Sequence, residues 1–227
     1  VKHQGWTWGS VGAVFAESPD RIWIAQRGEL PLPAGAKPWT PYSMLTPPRI
    51  ANGNDDGHNP TCGPEPKRGF ERRYHHVIFV VNREGKMVQW WSELDKIFDM
   101  ECGRGPHKIK ISPYDPERHI WVVDRGSNSA ESLKDVHEQV LQFTNDGKQL
   151  LQTIGTKGKR GQDSMTFDRP TFMTFAPDGT MYVSDGYNGH RVVKLDKNGK
   201  FIKAVGKRGP GNLEFNTPHS IATDFQG

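Results

Sequence analysis

The sequence predicts an all-β protein built from repeated four-stranded antiparallel sheets. Segments with alternating apolar and polar residues recur along the chain, Asp-Gly, Asn-Gly and Glu-Gly turns separate them, and helical periodicity is nearly absent. Whole phrases also repeat, because residues 105–155 align segment by segment with residues 169–206. Four-stranded units of about 40–50 residues that repeat radially are the blades of a β-propeller, which protects its sheet edges by closing a ring.

Each repeat has the same order of strands and turns. Residues 169–206 give FMTF, the turn APDG, MYVSD ending in Asp, a loop, RVVKL, the turn DKNGK and a last strand ending in Gly. A more diverged copy runs from residues 9–28 to residues 75–92, and a further copy begins at residues 217–227. The single predicted domain, 1–227, therefore holds about three and a half blades. We expect the missing blades from a C-terminal continuation or from a second chain.

The long insert and the cysteines are less regular. Residues 28–75 are rich in proline and lack a periodic apolar pattern, which predicts a loop inserted in the first repeat. A loop of this length is more often functional than not, so a lid over one face is one interpretation and disorder is the other. Short helical turns are predicted at 92–100 and 129–140. Cys62 and Cys102 have no zinc-finger or redox spacing, which leaves one disulfide or two inert thiols.

Charge and hydropathy exclude two classes of partner. The 30 Lys and Arg residues against 26 Asp and Glu give a formal net charge of +4, and both signs are interspersed, so nucleic acid is not expected. The longest apolar run, residues 77–81, is far shorter than the roughly 20 residues that cross a bilayer, so no membrane partner is expected. The loop-like flanks of the cysteines favour an oxidising compartment. We therefore expect a secreted or periplasmic protein.

The later repeats resemble a known family. Residues 177–206 and the following PGNLEFNTPHSIA carry a Ser-Asp-Gly-Tyr phrase, an Arg and a Pro-His-Ser. In these phrases the chain resembles the peptidyl-α-hydroxyglycine α-amidating lyases, which are six-bladed propellers of NHL repeats. Generic NHL repeats share the strands and the Asp, but they do not usually carry the Tyr and two Pro-His pairs. The resemblance spans essentially the whole chain and implies an NHL-type propeller.

The resemblance also implies metal sites. The zinc ligands of the family match His107 and His219. The first residues of each innermost strand of a propeller face the central channel, so two imidazoles from separate blades can share a metal. The alternative is that both histidines fill the channel and bond to backbone. A third ligand is expected beyond Gly227. A structural calcium is expected on backbone carbonyls that match Val14 and Ile109, together with an Asp beyond the same point.

The catalytic tyrosine and arginine of the family match Tyr187 and Arg27. The resemblance implies a zinc-dependent lyase that cleaves a carbinolamide, the α-hydroxyglycine end of a peptide, into an amide and glyoxylate. Tyr187 would take the hydroxyl proton, zinc would act as a Lewis acid and Arg27 would stabilise charge. Such a tyrosine needs cationic neighbours, because its ordinary pKa is about 10. The alternatives are a tyrosine that packs at the blade mouth and an arginine that the repeat carries anyway, since Arg125 follows the equivalent strand.

Departures from the family leave the substrate open. Asn188 and Asp168 stand where the lyases have the two halves of a disulfide, and His190 replaces a small residue. The substrate is expected to be a small molecule or a peptide. One alternative function is a non-catalytic NHL scaffold that binds protein or nucleic acid through its rim. Another is a lactonase-like metal-dependent hydrolase, although that class usually uses acidic and amide ligands.

Two pairs of neighbouring side chains are candidates for ligand roles. His75 and His76 stand together before an apolar strand, and Trp90 and Trp91 stand together after the next one. Alternation in a half-buried strand points one member of each pair inward and the other outward. No ligand role is therefore expected for these pairs.

Overall fold

The structure is a computed structural model that describes residues 6–9, 11–31, 74–98, 105–126 and 137–224. The chain divides into two compact units, Val1–Gly105 and Pro106–Gly227, and each is described by itself. The described residues are nearly all in strands and turns, as the repeats predict.

The described residues of the first unit form strands and one short helix: β1 (Trp6–Thr7), β2 (Val11–Ser18), β3 (Arg21–Gln26), β4 (Leu30–Pro31), β5 (Ile78–Val81), β6 (Met87–Trp90) and α1 (Ser92–Phe98). A four-stranded antiparallel sheet has the order β2-β3-β5-β6, and β1 pairs with β4. The hydrophobic side of this sheet buries Trp23 completely and packs it edge-on against Trp91, with the ring centroids 4.8 Å apart. The aromatic pair fixes α1 close behind the sheet, since Trp91 immediately precedes it.

The second unit contains two further four-stranded antiparallel sheets. Their strands are β7 (Pro106–Ile111), β8 (Ile120–Arg125), β9 (Glu138–Phe143), β10 (Leu150–Ile154), β11 (Phe172–Phe175), β12 (Met181–Asp185), β13 (Arg191–Leu195) and β14 (Phe201–Val205). The first sheet is β7 to β10 and the second is β11 to β14, each in sequential order. A short parallel pair, β15 (Lys207–Arg208) and β16 (Glu214–Phe215), follows. Sequential up-and-down order is the strand order of a propeller blade.

Asp-Gly and Asn-Gly turns set the register of the sheet formed by β11 to β14. Gly179 joins β11 to β12 with φ of 85°, and Gly199 joins β13 to β14 with φ of 79°. Each glycine N–H closes its turn, by donating to the carbonyl of Ala176 or of Asp196 at 3.0 Å. Glycine reaches positive φ without steric cost, so the sequence motif selects these tight turns.

Apolar residues of the two sheets of the second unit form one core between them. Its members are Trp121, Val123, Val140, Ile154, Phe167, Met173, Phe175, Met181, Val183, Val193 and Leu195. All but Phe167, which lies in the linker between the sheets, come from alternate positions of the strands, so one face of each sheet is apolar. The stack of sheets is therefore held mainly by hydrophobic burial.

A buried carboxylate–arginine pair ties each of these sheets to the linker that joins them. In the first, Arg160 of the linker lies 2.6 Å from the Glu138 carboxylate. In the second, Arg191 lies 2.9 Å from Asp185 and also donates to linker carbonyls, among them that of Thr166 at 2.7 Å. Burial raises the pKa of Glu138 and of Asp185 to about 7, although the arginines oppose the rise.

The predicted fold class is confirmed: the protein is all-β, with three blade-like four-stranded sheets of the propeller type in the described residues. The helix expected at 92–100 forms over Ser92–Phe98. The prediction of a helical turn over 129–140 is wrong at its C-terminal end. Glu138–Val140 begin β9, where Glu138 and Val140 are both fully buried.

Several predictions fall outside the described residues. They concern 129–136, residues 32–73 of the inserted loop, and both cysteines, Cys62 and Cys102. In the part of the chain that the structure describes, no helix has the length and apolar character needed to cross a membrane.

Candidate active site

Three residues occupy the same position in successive repeats of the second unit. His107 lies at the start of β7, Thr171 immediately precedes β11, and His219 lies in the last described segment. Each of the three follows a proline, whose ring fixes its own backbone φ at the position directly before the residue. The repeat therefore carries equivalent residues to the same end of neighbouring blades.

Tyr187 connects the two histidines. Its hydroxyl oxygen lies 3.3 Å from Nε2 of His107 and 2.9 Å from Nε2 of His219. The two imidazole rings have centroids 4.8 Å apart and are inclined by 70°. His107 is buried, whereas Tyr187 is half-buried and His219 is exposed. The structure thus brings the predicted tyrosine and both predicted zinc ligands together, and their chemical roles stay predictions.

Thr171 contacts both histidine segments. Nδ1 of His107 lies 2.7 Å from the carbonyl oxygen of Thr171. A carbonyl only accepts, so Nδ1 carries a proton, and in the neutral imidazole Nε2 then holds the lone pair that faces Tyr187. The Thr171 hydroxyl donates to the carbonyl of Pro218 at 2.8 Å and so fixes the residue before His219. This role of Thr171 is not among the sequence predictions, although the repeats place Thr171 at a position equivalent to both histidines.

A close approach at Gly186 holds Tyr187 against the last segment. A Cβ atom at Gly186 would overlap the carbonyl oxygen of Pro218 and would lie 2.8 Å from Cγ2 of Thr171. The next residue, Tyr187, has a φ of 47°, which is uncommon for a non-glycine residue. The Gly-Tyr pair of the Ser-Asp-Gly-Tyr phrase therefore sets the distance between the tyrosine and His219.

Arg125 is a second residue that sequence analysis did not assign to the site. It ends β8, is buried, and places its guanidinium carbon 3.8 Å from the centroid of the Tyr187 ring. That distance lies well within the range of a cation–π interaction. In the sequence, Arg125 is only the example of an arginine that the repeat carries anyway, and that alternative for Arg27 stays open. In the sequence, only the position of Arg125 directly after Asp124 could have indicated a role. Its contact with the Tyr187 ring depends on how the neighbouring blade packs.

Asp185 supports the loop that carries Tyr187. One carboxylate oxygen accepts the backbone N–H of Asp168 at 2.7 Å, and the other receives Nε of Arg191 at 2.9 Å. A Cβ atom at Gly189 would lie 2.5 Å from the Asp185 carboxylate carbon, so the loop folds tightly over this group. The buried ion pair fixes the base of the loop.

Lysines on β7 add positive charge beside His107. Lys108 and Lys110 place their ammonium groups 4.2 Å and 5.4 Å from the centroid of the Phe172 ring. Burial lowers the pKa of both lysines, and the charge of Lys110 lowers that of Lys108 further. Two lysines of the strand that carries His107 therefore contact a phenylalanine of the neighbouring sheet.

The two positions that depart from the lyase disulfide are still close together. The backbone N–H of Gly189, next to Asn188, donates to the carbonyl of Asp168 at 3.2 Å. The Asn188 carbonyl accepts from the Gln162 side chain at 3.2 Å. Hydrogen bonds therefore connect the segments that a disulfide would join, as the alignment of Asp168 and Asn188 requires.

The remaining predicted residues lie in strands or directly beside them. Arg27 belongs to the first unit, follows β3 and is buried. Val14, also in the first unit, lies in β2 with an exposed side chain, and Ile109 of the second unit is fully buried in β7. The assigned roles of Arg27 as catalytic residue and of the two carbonyls as calcium ligands stay predictions.

The arrangement fits metal ligation in part. Zinc is bound through the unprotonated nitrogen of neutral imidazoles, and a histidine whose other nitrogen donates to a backbone carbonyl is the usual ligand form. His107 has this form, and Nε2 of His219 converges on the same oxygen. The described residues thus bring two imidazole nitrogens of the type that binds zinc to either side of one hydroxyl.

Curated proteins similar to this chain are amidating enzymes. The chain is 27% identical over 152 residues to a probable peptidyl-alpha-hydroxyglycine alpha-amidating lyase of Caenorhabditis elegans, covering 64% of this chain and 37% of that protein. It is 30% identical over 122 residues to the peptidylglycine alpha-amidating monooxygenase of Rattus norvegicus, covering 52% and 11%. The chain resembles the amidating lyases. Peptidyl-alpha-hydroxyglycine alpha-amidating lyase 2 of Drosophila melanogaster is 28% identical over 116 residues, which cover 51% of the chain and 25% of that enzyme.

The amidating-lyase resemblance agrees with the fold. The chain spans little more than a third of the worm lyase and less of the other two. Among solved structures, a protein of unknown function from Bacteroides thetaiotaomicron has a TM-score of 0.52 and 16% identity, covering 96% of this chain and 43% of that one. No family model matches the chain. The predicted likeness of this NHL-type propeller to the amidating lyases is confirmed.

Proposed function

We propose that the protein is part of a zinc-dependent lyase that cleaves a carbinolamide substrate into an amide and glyoxylate. The carrying observation is the convergence of His107 and His219 on the Tyr187 hydroxyl, at 3.3 Å and 2.9 Å. His107 and His219 would hold the zinc ion, which when bound would supply Lewis-acid catalysis. A third zinc ligand, a calcium ion and a secreted or periplasmic location belong to the same proposal.

The reaction needs one proton acceptor and one proton donor. In a carbinolamide the O–H bond breaks, the C–O bond becomes a carbonyl, the C–N bond breaks and the amide nitrogen gains a proton. Tyr187 would accept the hydroxyl proton, because its oxygen lies where both imidazoles converge. No water is consumed, which separates this lyase reaction from the hydrolysis of a lactone.

Arg125 would assist the proton transfer. Its guanidinium lies 3.8 Å from the centre of the Tyr187 ring and favours negative charge as it develops on the phenol oxygen. Arg27, buried in the first unit, keeps the charge-stabilising role that the resemblance implies. Lys108 and Lys110 would attract the carboxylate of the substrate.

The test is glyoxylate release from a peptidyl-α-hydroxyglycine with zinc present. We expect release by the protein and a loss of at least about 100-fold in Tyr187→Phe, since a positioned acid or base contributes 10²–10⁴-fold. Tyr182→Phe is the matched control, because Tyr182 lies in the same sheet, on β12, away from the histidines. Equal rates in Tyr187→Phe and the parent would overturn the catalytic role. Failure of the parent to release glyoxylate, with zinc bound, would favour the binding scaffold.

A further inference from the structure

The first unit holds a second group of metal-binding side chains. Glu29 lies shortly after β3, and His75 and His76 lie shortly before β5. Since β3 and β5 pair antiparallel, from Ile22 with Val81 to Ala25 with Ile78, the end of one meets the start of the other. The strand alternation expected for the histidine pair does not hold, because both residues precede β5 and their ring centroids lie only 4.1 Å apart. The prediction that neither is a ligand did not consider Glu29, which lies 46 residues before His75 in the chain.

The three side chains point their polar atoms at one location. Oε1 of Glu29 is 2.8 Å from Nδ1 of His76, and Oε2 is 3.8 Å from Nδ1 of His75. All three offer ligand atoms within 4.8 Å of one another. Two ligands that are each about 2.05 Å from a tetrahedral zinc ion lie about 3.3 Å apart, a value between the two measured distances. Small side-chain shifts would therefore bring the three ligand atoms to zinc-binding distances.

The backbone of the histidine pair is fixed on both sides. The buried amide of Gln26 donates to the carbonyls of His75 and His76 at 2.9 Å and 3.1 Å. The Asp95 carboxylate accepts the N–H of His76 at 3.1 Å and that of Val77 at 2.9 Å. These bonds hold His76 at a φ of 54°, an uncommon value for a residue with a side chain. Such support from surrounding hydrogen bonds is what a preorganised ligand pair requires.

The surroundings favour a transition-metal ion of borderline softness. The Trp90 ring lies against both imidazoles, with centroids 4.2 Å from His75 and 4.0 Å from His76. Glu29 is fully buried, whereas the His75 side chain is 38% exposed. Two histidines and one glutamate are the protein ligands of many zinc sites that keep a further position open. A site built from oxygen ligands alone would instead suit calcium or magnesium.

We propose that Glu29, His75 and His76 form a zinc-binding site in the first unit, separate from the ligands His107 and His219. Glu29 is the anionic ligand and the two imidazoles are the neutral ligands. Gln26 and Asp95 are positioning residues that hold the histidine backbone.

Zinc binding in the full chain tests this site without reference to activity. The parent for the test is His107→Ala with His219→Ala, which removes the ligands of the proposed active site. Equilibrium dialysis with Zn²⁺ is expected to give about one ion per chain, and Co²⁺ is expected to give the visible absorption of a tetrahedral site. His75→Asn and Glu29→Gln should each weaken binding by about 100-fold, since the loss of even an outer partner costs 10–100-fold.

The control is His119→Asn in the same parent. His119 also contacts two carboxylates, but it does so through different nitrogens, Nδ1 to Asp115 at 2.8 Å and Nε2 to Glu117 at 3.0 Å. The His119→Asn variant should therefore bind zinc like the parent. His75 is half-exposed, so we expect His75→Asn to fold. That variant therefore still tests the site if Glu29→Gln does not fold. No zinc in the parent, or equal affinity in His75→Asn and His119→Asn, would overturn the site, whatever the lyase assay shows.

Discussion

The two sheets of the second unit use equivalent positions for different tasks. At the start of β7 the repeat carries His107, a side chain that can bind a metal, whereas before β11 it carries Thr171, which binds the histidine on one side and Pro218 on the other. The first of these sheets ends its second strand, β8, with Arg125. In the other sheet, Gly186 and then Tyr187 directly follow the second strand, β12. The comparison shows that equivalent positions of neighbouring repeats carry the two candidate ligands, His107 and His219, while the sheet of β11 to β14 supplies the supporting threonine and the tyrosine.

The largest effect is expected at Gly186, the position where the second sheet needs the smallest residue. In Gly186→Ala the new Cβ would overlap the Pro218 carbonyl and displace Tyr187 from His219. We expect a loss of about 1–3 kcal/mol in the free energy of unfolding and a fall of about 100-fold in glyoxylate release. Urea unfolding and the lyase assay would measure these two losses.

Gly85→Ala is the control for that substitution. Gly85 has a φ of 73° but no atom within 4 Å of a new Cβ. The control should therefore lose stability through backbone strain alone and should keep its catalytic rate. An active Gly186→Ala protein would show that the close approach does not position the tyrosine.

The buried acids of the two sheets should give the protein an unusual pH dependence. The pKa of Glu138 is about 7 in the folded protein against an ordinary value of 4.5. Between these values the folded state holds a proton that the unfolded state has lost, so stability falls as the pH rises, by at most about 1.4 kcal/mol per pH unit for each group. Urea unfolding of Glu138→Gln from pH 4.5 to 8 should show a smaller fall than the parent.

Asp185→Asn extends the pH comparison to the second sheet, where the pKa of Asp185 is also raised to about 7. We expect it to reduce the same fall in stability. Parallel pH profiles for the parent and both variants would mean that the arginines keep these carboxylates ionised.

A smaller effect is expected when the charge over the Tyr187 ring is removed. Arg125→Met keeps a side chain of similar length but loses the guanidinium 3.8 Å from the ring centre. We expect about a tenfold lower turnover, since a partly desolvated cation–π contact contributes about 1–2 kcal/mol, and partial recovery in Arg125→Lys. Lys194→Met is the control, because Lys194 lies 5.4 Å from the centre of the Tyr182 ring instead. A turnover in Arg125→Met that matches the control would remove Arg125 from the mechanism.

The smallest effect is expected at the supporting residue. Thr171→Val loses the hydroxyl that donates to Pro218 but keeps the carbonyl that accepts from His107. Loss of one hydrogen bond of about 1 kcal/mol should weaken zinc binding at His107 and His219 by about fivefold. Thr217→Val is the control, since its hydroxyl donates only to the carbonyl of Asn216 next to it. An unchanged zinc affinity in Thr171→Val would show that Pro218 is held by other contacts.

The fold could be predicted because its signals are local. Turns such as the one at Gly179 and the alternation in β12 are readable within a few residues. The pairing of His107 with His219 could be predicted from their equivalent positions in the repeats. The contact between Arg125 and Tyr187 could not, because it depends on how neighbouring blades pack. Glu29 was missed because a long insert separates it from its partner histidines in the sequence.

The bond from His107 to the Thr171 carbonyl bears on how the site can evolve. A backbone carbonyl is present whatever side chain occupies the position, so substitutions at residue 171 leave the acceptor in place. The proton on Nδ1, and with it the ligand form of His107, is therefore robust to mutation. The hydroxyl that donates to Pro218 belongs to the side chain, so most substitutions at residue 171 remove that hydrogen bond. Mutation at residue 171 would therefore affect the position of His219 before that of His107.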